Sequence, residues 1–192
     1  MSKPAVFLDR DGVLIDEVNY LARVDQVRVI PGAPGAVRRL NDAGIPVVVV
    51  TNQAGVARGY FPESQVEVIH DYLSKVFDEE ANARFDRFDY SPFHPTEGIG
   101  EYRQETECRK PNPGMLVRSA IALNLELTRS WMVGDKVSDL QAGAAADCRT
   151  ILVRTGYGAT IDLTAPNTKL KLAAVVPTVV EAVDFILCER LR

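Results

Sequence analysis

Thiols, imidazoles and indoles are scarce in this chain of 192 residues, which holds three Cys, two His and one Trp. Cys108, Cys148 and Cys188 are odd in number and far apart. That excludes a disulfide framework and a paired metal-ligand pattern, and fits a reducing, cytoplasmic setting. No apolar run is long enough to span a bilayer, and the opening Met1-Ser2-Lys3-Pro4 has no signal-peptide core. A membrane is therefore not an expected partner. No run of Lys or Arg stands out and the net charge is −4, which speaks against nucleic acid but not against a small anionic ligand held by a few local cations. Internal repeats and low-complexity tracts are absent too. No exposed apolar stripe demands a second subunit, so a monomer is expected.

What is present is an alternation of short apolar runs with longer amphipathic ones. The length suits one domain spanning residues 1–192. Strands are expected at residues 5–8, 46–50, 85–90, 131–133, 150–153 and 174–176. Helices are expected at 34–43, 62–82, 113–123, 137–146 and 179–192. The strands are β-branched and apolar on both faces, as in a parallel sheet covered by helices on each side. Gly44 follows Asn41-Asp42-Ala43 where a helix should stop. The expected fold is a doubly wound, mainly parallel α/β sheet without room for a large cap domain. Ligands bind such sheets at the carboxyl ends of the strands. Residues 91–111 break the alternation, and a loop of that length is usually functional or an insertion.

Four segments fall on that rim. The first is Val6-Phe7-Leu8-Asp9-Arg10-Asp11-Gly12. Alternate residues of an extended chain point the same way, so Asp9 and Asp11 can share a site while Arg10 points elsewhere. Two acids that close repel unless a cation sits between them, and Mg²⁺ is a natural partner for oxygen ligands. One carboxylate can then attack phosphorus while the other shuttles a proton. The second segment is a buried strand ending in Thr51-Asn52-Gln53-Ala54, with a turn at Gly55. Its hydroxyl and N–H groups can hold phosphate oxygens. In the third, Arg109-Lys110, Lys110 can neutralise a phosphoryl group and Arg109 can grip a second anion by its planar fork. The fourth, Trp131-Met132-Val133-Gly134-Asp135-Lys136-Val137-Ser138-Asp139, supplies a third acid, Asp135, to complete a Mg²⁺ site. Asp139, a helical turn on, is placed to orient Asp135 from behind. Each segment alone also reads as an ordinary turn or helix cap. Together they are the kit for phosphoryl transfer through an aspartyl-phosphate.

These residues resemble the haloacid dehalogenase-like superfamily of phosphatases. The resemblance implies that Asp9 is the nucleophile and Asp11 the acid and base. It implies Mg²⁺ held by the Asp9 side chain, the Asp11 backbone carbonyl and Asp135, with Thr51 and Lys110 on the phosphoryl group. Further along, Thr51-Asn52-Gln53-Ala54-Gly55-Val56-Ala57-Arg58-Gly59, Gly100-Glu101-Tyr102-Arg103-Gln104 and Cys108-Arg109-Lys110-Pro111 are similar to a narrower branch. That branch comprises the heptose bisphosphate phosphatases and the histidinol-phosphatases, and the resemblance runs from Phe7 to about Thr155. It implies removal of the 7-phosphate of D-glycero-D-manno-heptose 1,7-bisphosphate, a small phosphorylated sugar, on the way to a nucleotide-activated heptose. The implied substrate contacts are Glu17, Val18, Asn19, Tyr20, Thr51, Asn52, Gln53, Ala54, Arg109, Lys110 and Lys136.

One departure stands out. Members of the branch carry a structural zinc in the loop before Arg-Lys, whereas the matching positions here read Ser91, Phe93, Thr106 and Cys108. A hydroxyl and a phenyl ring are poor zinc ligands. Zinc is therefore expected to be absent, with the loop held by packing of Phe93 against Tyr102. His94 reads as structural, His70 has no motif partner, and Trp131 reads as core. The alternative within the branch is a histidinol-phosphate phosphatase. Outside it stand a phosphorylated receiver-like signalling module and a non-catalytic interaction protein.

Overall fold

The computed structural model describes residues 2–164 and 171–190. Six strands form one sheet, β1 (Val6–Leu8), β2 (Val47–Asn52), β3 (Arg87–Ser91), β4 (Trp131–Gly134), β5 (Arg149–Val153) and β6 (Ala174–Val176). Their order is β3-β2-β1-β4-β5-β6 and every pairing is parallel. The chain moves outward from β1 through β2 to β3, then returns to β4 on the other side of β1. The carboxyl ends of β1 and β4 therefore flank the switch point where such sheets bind ligands. Leu8 pairs with both Val49 and Val133, and Asp9 N–H donates to Val133 O at 3.0 Å. These contacts register the first acid against the end of β4.

Successive residues of β1 serve opposite faces of the sheet. Val6 and Leu8 join a large apolar cluster with α1 (Ala33–Asp42), α3 (Glu63–Ala81) and α6 (Val179–Arg190). Ala5 and Phe7 join a smaller one with α4 (Gly114–Leu123) and α5 (Val137–Ala145). Both faces are thus covered, which explains the unbroken Val47-Val48-Val49-Val50 run.

All six expected strands are present, with ends shifted by one or two residues. Expected helices match α1, α3, α4, α5 and α6 equally well, except that residues 191–192 lie outside the described residues. Gly44 sits past the end of α1 at φ +66, a conformation glycine adopts without strain. Among the described residues, four short 3-10 turns and one α-helical element were not expected. The turn at Gly55 is a single helical turn, α2 (Ala54–Ala57), too short to show a 3.6-residue period. Within residues 91–111 only Gly100–Tyr102 forms a helical turn.

Candidate active site

Asp9 follows directly on β1 and is 3% exposed. Its Oδ1 receives Lys110 Nζ at 2.9 Å and the Arg10 N–H at 2.8 Å, which leaves Oδ2 without a partner among the described residues. Burial alone would raise this carboxyl's pKa. The ammonium groups of Lys110 and Lys136 outweigh burial and hold it below the usual carboxylate range. Lys110 is itself buried and donates to Val50 O at 2.7 Å, with Asp139 Oδ1 at 2.8 Å. Burial would lower its pKa, but Asp139 and Asp9 raise it above the ordinary lysine value. Its ammonium thus sits between the end of β2, the first acid and α5, hydrogen-bonded to Val50 O and ion-paired with Asp9 and Asp139. The Asn52 side chain fixes the backbone at Lys110, donating to Lys110 O at 2.9 Å and accepting from Lys110 N at 3.0 Å.

The acids gather as the sequence implies. Among the described residues, Asp9, Asp135 and Asp139 are the His, Cys, Asp or Glu trio whose ligand atoms lie within 4.8 Å of one another. Asp139 was expected to orient Asp135. Instead it accepts from Lys136 N at 2.9 Å, capping α5, and pairs with Lys110. A buried carboxylate takes the donors nearest to it, and for Asp139 these are the Lys136 N–H and the Lys110 ammonium rather than Asp135. Asp135 Oδ2 accepts the Tyr157 N–H at 2.8 Å, whereas its buried Oδ1 has no partner. Burial and the charges of Asp9 and Asp139 push Asp135 up to about 8. Gly12 (φ +84) and Gly156 (φ +54) pack against this carboxylate, and a Cβ on either would lie about 2 Å from Oδ2. A crowded trio of acids with an orphaned buried oxygen fits a hard divalent cation such as Mg²⁺. Asp9 and Asp135 carry the carboxylates that would hold it.

The expectation that Arg10 points away from the acids is overturned. β1 ends at Leu8, so strand alternation no longer applies at Asp9. The Arg10 guanidinium is fully buried and folds back on Asp11, with Nε to Oδ2 at 3.2 Å and Nη2 to Oδ1 at 3.3 Å. Asp11 Oδ2 also accepts from Gln53 Nε2 at 3.1 Å and the Thr51 hydroxyl at 3.5 Å.

A cleft of about 300 Å³ opens over this floor, lined by Asp11, Glu17, Asn19, Tyr20, Gln53, Ala54, Arg109, Lys110, Lys136 and Tyr157 among others. Asn52 also lines it, but both ends of its amide are engaged by the Lys110 backbone. Val18 is exposed and does not line the cleft. Lys136 Nζ meets Glu17 Oε2 at 2.8 Å and lies 4.7 Å over the Tyr157 ring. Burial would lower its pKa, but Asp9, Asp135 and Glu17 raise it above the ordinary lysine value. Arg109 Nη1 donates to Phe93 O at 2.8 Å, fastening the long loop to the site. Sequence reasoning missed Arg10, Gly156 and Tyr157, and gave no role to His70, whose Nε2 lies 3.3 Å from Arg10 Nη1. The glycine-rich Thr155-Gly156-Tyr157-Gly158 just past β5 was a usable signal, since it falls on the same rim. His70, spaced among the apolar residues of α3, gave none.

The zinc implied for the 91–108 loop does not fit the donors present. Ser91 Oγ and Thr106 Oγ1 are buried without partners, and His94 Nδ1 accepts the Glu97 N–H at 3.1 Å. Phe93 packs on Tyr102 with centroids 6.0 Å apart, as expected.

Two family models match, a haloacid dehalogenase-like hydrolase over residues 6–65 and a related HAD-hydrolase-like model over 107–182. The chain is similar to D-glycero-beta-D-manno-heptose-1,7-bisphosphate 7-phosphatase of Haemophilus ducreyi, at 42% identity over 84% of this chain and 89% of that protein. It is 45% identical, over 82% of each, to the D-glycero-D-manno-heptose-1,7-bisphosphate 7-phosphatase of Thermosynechococcus vestitus. A crystal structure of D,D-heptose 1,7-bisphosphate phosphatase from B. bronchiseptica, complexed with magnesium and phosphate, superposes with a TM-score of 0.83 at 31% identity. The match covers 97% of this chain and 99% of that one. With the acids, the lysine and the threonine of the sequence motifs converging at one switch point, this chain belongs to the haloacid dehalogenase-like hydrolases, in the family of the heptose bisphosphate phosphatases.

Proposed function

We propose that this chain is a Mg²⁺-dependent phosphatase that removes the 7-phosphate of D-glycero-D-manno-heptose 1,7-bisphosphate through an aspartyl-phosphate. The observation that carries the reading is the state of Asp9. It is a buried carboxylate at the sheet's switch point, held ionised by Lys110, with Oδ2 unpartnered. A nucleophile needs just this combination of charge and an available oxygen.

In the first step Asp9 Oδ2 forms a bond to phosphorus, the bond to the sugar oxygen breaks, and Asp11 protonates that oxygen. In the second, a water gives its proton to Asp11 and attacks phosphorus, and the Asp9–phosphorus bond breaks. Lys110 and Thr51 hold the transferring group. Arg109, Lys136, Gln53, Ala54 and, from the loop after the first motif, Glu17, Asn19 and Tyr20 recognise the sugar and its remaining phosphate, with Asn52 keeping Lys110 in register. Magnesium, held by Asp9, the Asp11 carbonyl and Asp135, would supply positive charge against the phosphoryl oxygens. The chain works as one domain and as a monomer in the cytoplasm, without zinc and without nucleic acid or membrane.

The test is phosphate release with Mg²⁺ from both anomers of heptose 1,7-bisphosphate and from histidinol phosphate, side by side. A much higher kcat/KM on a heptose bisphosphate, with the 1-phosphate retained, is the expected result. Preference for histidinol phosphate would overturn the substrate and leave the chemistry standing.

A further inference from the structure

We propose that His70 is a positioning residue for proton transfer: its unprotonated Nε2 accepts a hydrogen bond from Arg10 Nη1, and Arg10 in turn fixes the carboxylate of Asp11. The inference rests on the reading of Asp11 as acid and base.

Arg10 is 0% exposed, so its charge has no water to turn to and its donors need acceptors. Two donors on one edge of the guanidinium, Nε and Nη2, go to Asp11. Nη1 lies 3.3 Å from His70 Nε2. A guanidinium only donates, so Nε2 must carry the lone pair and the ring proton must sit on Nδ1. Burial, and then the Arg10 charge, pull His70 down to about 3, which keeps the ring neutral over the working range. The ring cannot swing away readily. It stacks on Phe88 with centroids 4.6 Å apart at 21°, and Tyr90 meets it at 5.8 Å and 65°. His70 therefore anchors the side of the guanidinium remote from Asp11 to α3 and β3.

The consequence concerns direction. A carboxyl held along one edge offers its proton to the leaving oxygen, and afterwards its free lone pair to water, from a fixed position. The proton is then delivered along one line, and misorientation at that point is costly in rate. Releasing Nη1 lets the guanidinium turn, and Asp11 then loses its two-point hold and keeps only Gln53 and Thr51 on Oδ2.

The experiment compares kcat/KM for a sugar phosphate and for p-nitrophenyl phosphate, whose leaving group departs without a proton. kcat/KM reports on the first irreversible step, which is where the leaving group is protonated. His70→Leu is expected to lower the value about tenfold on the sugar phosphate and less than about threefold on the aryl ester, a fraction of what a general acid contributes. His70→Gln, which restores an acceptor, is expected to recover most of that loss. Equal losses on both esters, or no loss on either, would overturn the proposal as a packing effect or no effect. Should His70→Leu not fold, Arg10→Lys keeps the charge without the fork and must show the same selective loss, and a uniform loss there overturns the proposal equally. Asp11→Asn runs alongside. A uniform loss in that variant would refute the acid role itself, whatever His70 does.

Discussion

Asp9 can act only while ionised, and its ionisation depends first on Lys110, which water does not reach, and then on Lys136 at the rim. The same logic makes His70 a stability switch. In the folded chain burial and Arg10 hold its pKa near 3, while an unfolded histidine titrates near 6.5. Below about pH 6.5 the unfolded state takes up a proton that the folded state refuses, so stability falls as pH drops towards 3. His70→Gln is expected to flatten the acid side of the stability profile by about 1.4 kcal/mol per pH unit, read from urea titrations at several pH values. An unchanged slope would mean that the ring is protonated in the fold. Gly12 is the second residue-scale constraint. At φ +84, and with Asp135 Oδ2 where a Cβ would fall, Gly12→Ala must displace the metal-facing carboxylate. The expected outcome is loss of at least about tenfold in apparent Mg²⁺ affinity, the scale seen for supporting residues of metal sites, measured from the Mg²⁺ dependence of turnover.

At the scale of elements, the rim works because separate strand ends are tied to one another. Asn52, on the last residue of β2, grips the Lys110 backbone from the long loop, and Arg109 holds that loop at Phe93. Asn52→Leu should leave β2 and the core intact while loosening Lys110. We expect kcat to fall about tenfold or more with a smaller change in KM, since a misplaced charge costs transition-state stabilisation. An equal rise in KM with kcat preserved would instead assign Asn52 to substrate binding. Elements were also where the sequence was most legible. Runs such as Val47-Val48-Val49-Val50 announce a doubly covered strand, and the strand-end acids, Thr51 and Lys110 announce the rim. The single turn of α2 was invisible because four residues carry no period. Arg10 was misplaced because alternation was carried past the last strand residue. His70 was silent because a buried polar side chain on an apolar helix face looks like core, and its partner is 60 positions away in sequence.

At the scale of the molecule, three clustered acids are a cost that the cation offsets. Mg²⁺ should raise the Tm, by several degrees at about a hundred times its Kd, and a chelator should reverse the gain. Burial and the neighbouring carboxylates raise Asp135 to about 8, so below that pH the metal must displace a proton. The Tm gain is therefore expected to be larger near about pH 8.5 than near about pH 6, and Asp135→Asn should remove both the gain and its pH dependence. A gain independent of pH would place the metal elsewhere. No helix among the described residues is long and apolar enough to cross a membrane.

The central claim is covalent: the phosphoryl group passes through Asp9. Turnover with heptose 1,7-bisphosphate and Mg²⁺ should be quenched in acid and treated with borohydride, which reduces an acyl phosphate to the alcohol, and the peptide containing residue 9 analysed by mass spectrometry. The account predicts homoserine at position 9 in the turning-over protein, none without substrate, and no turnover in Asp9→Asn. Steady phosphate release with Asp9 unreduced, or reduction at Asp135 or Asp139 instead, would contradict it.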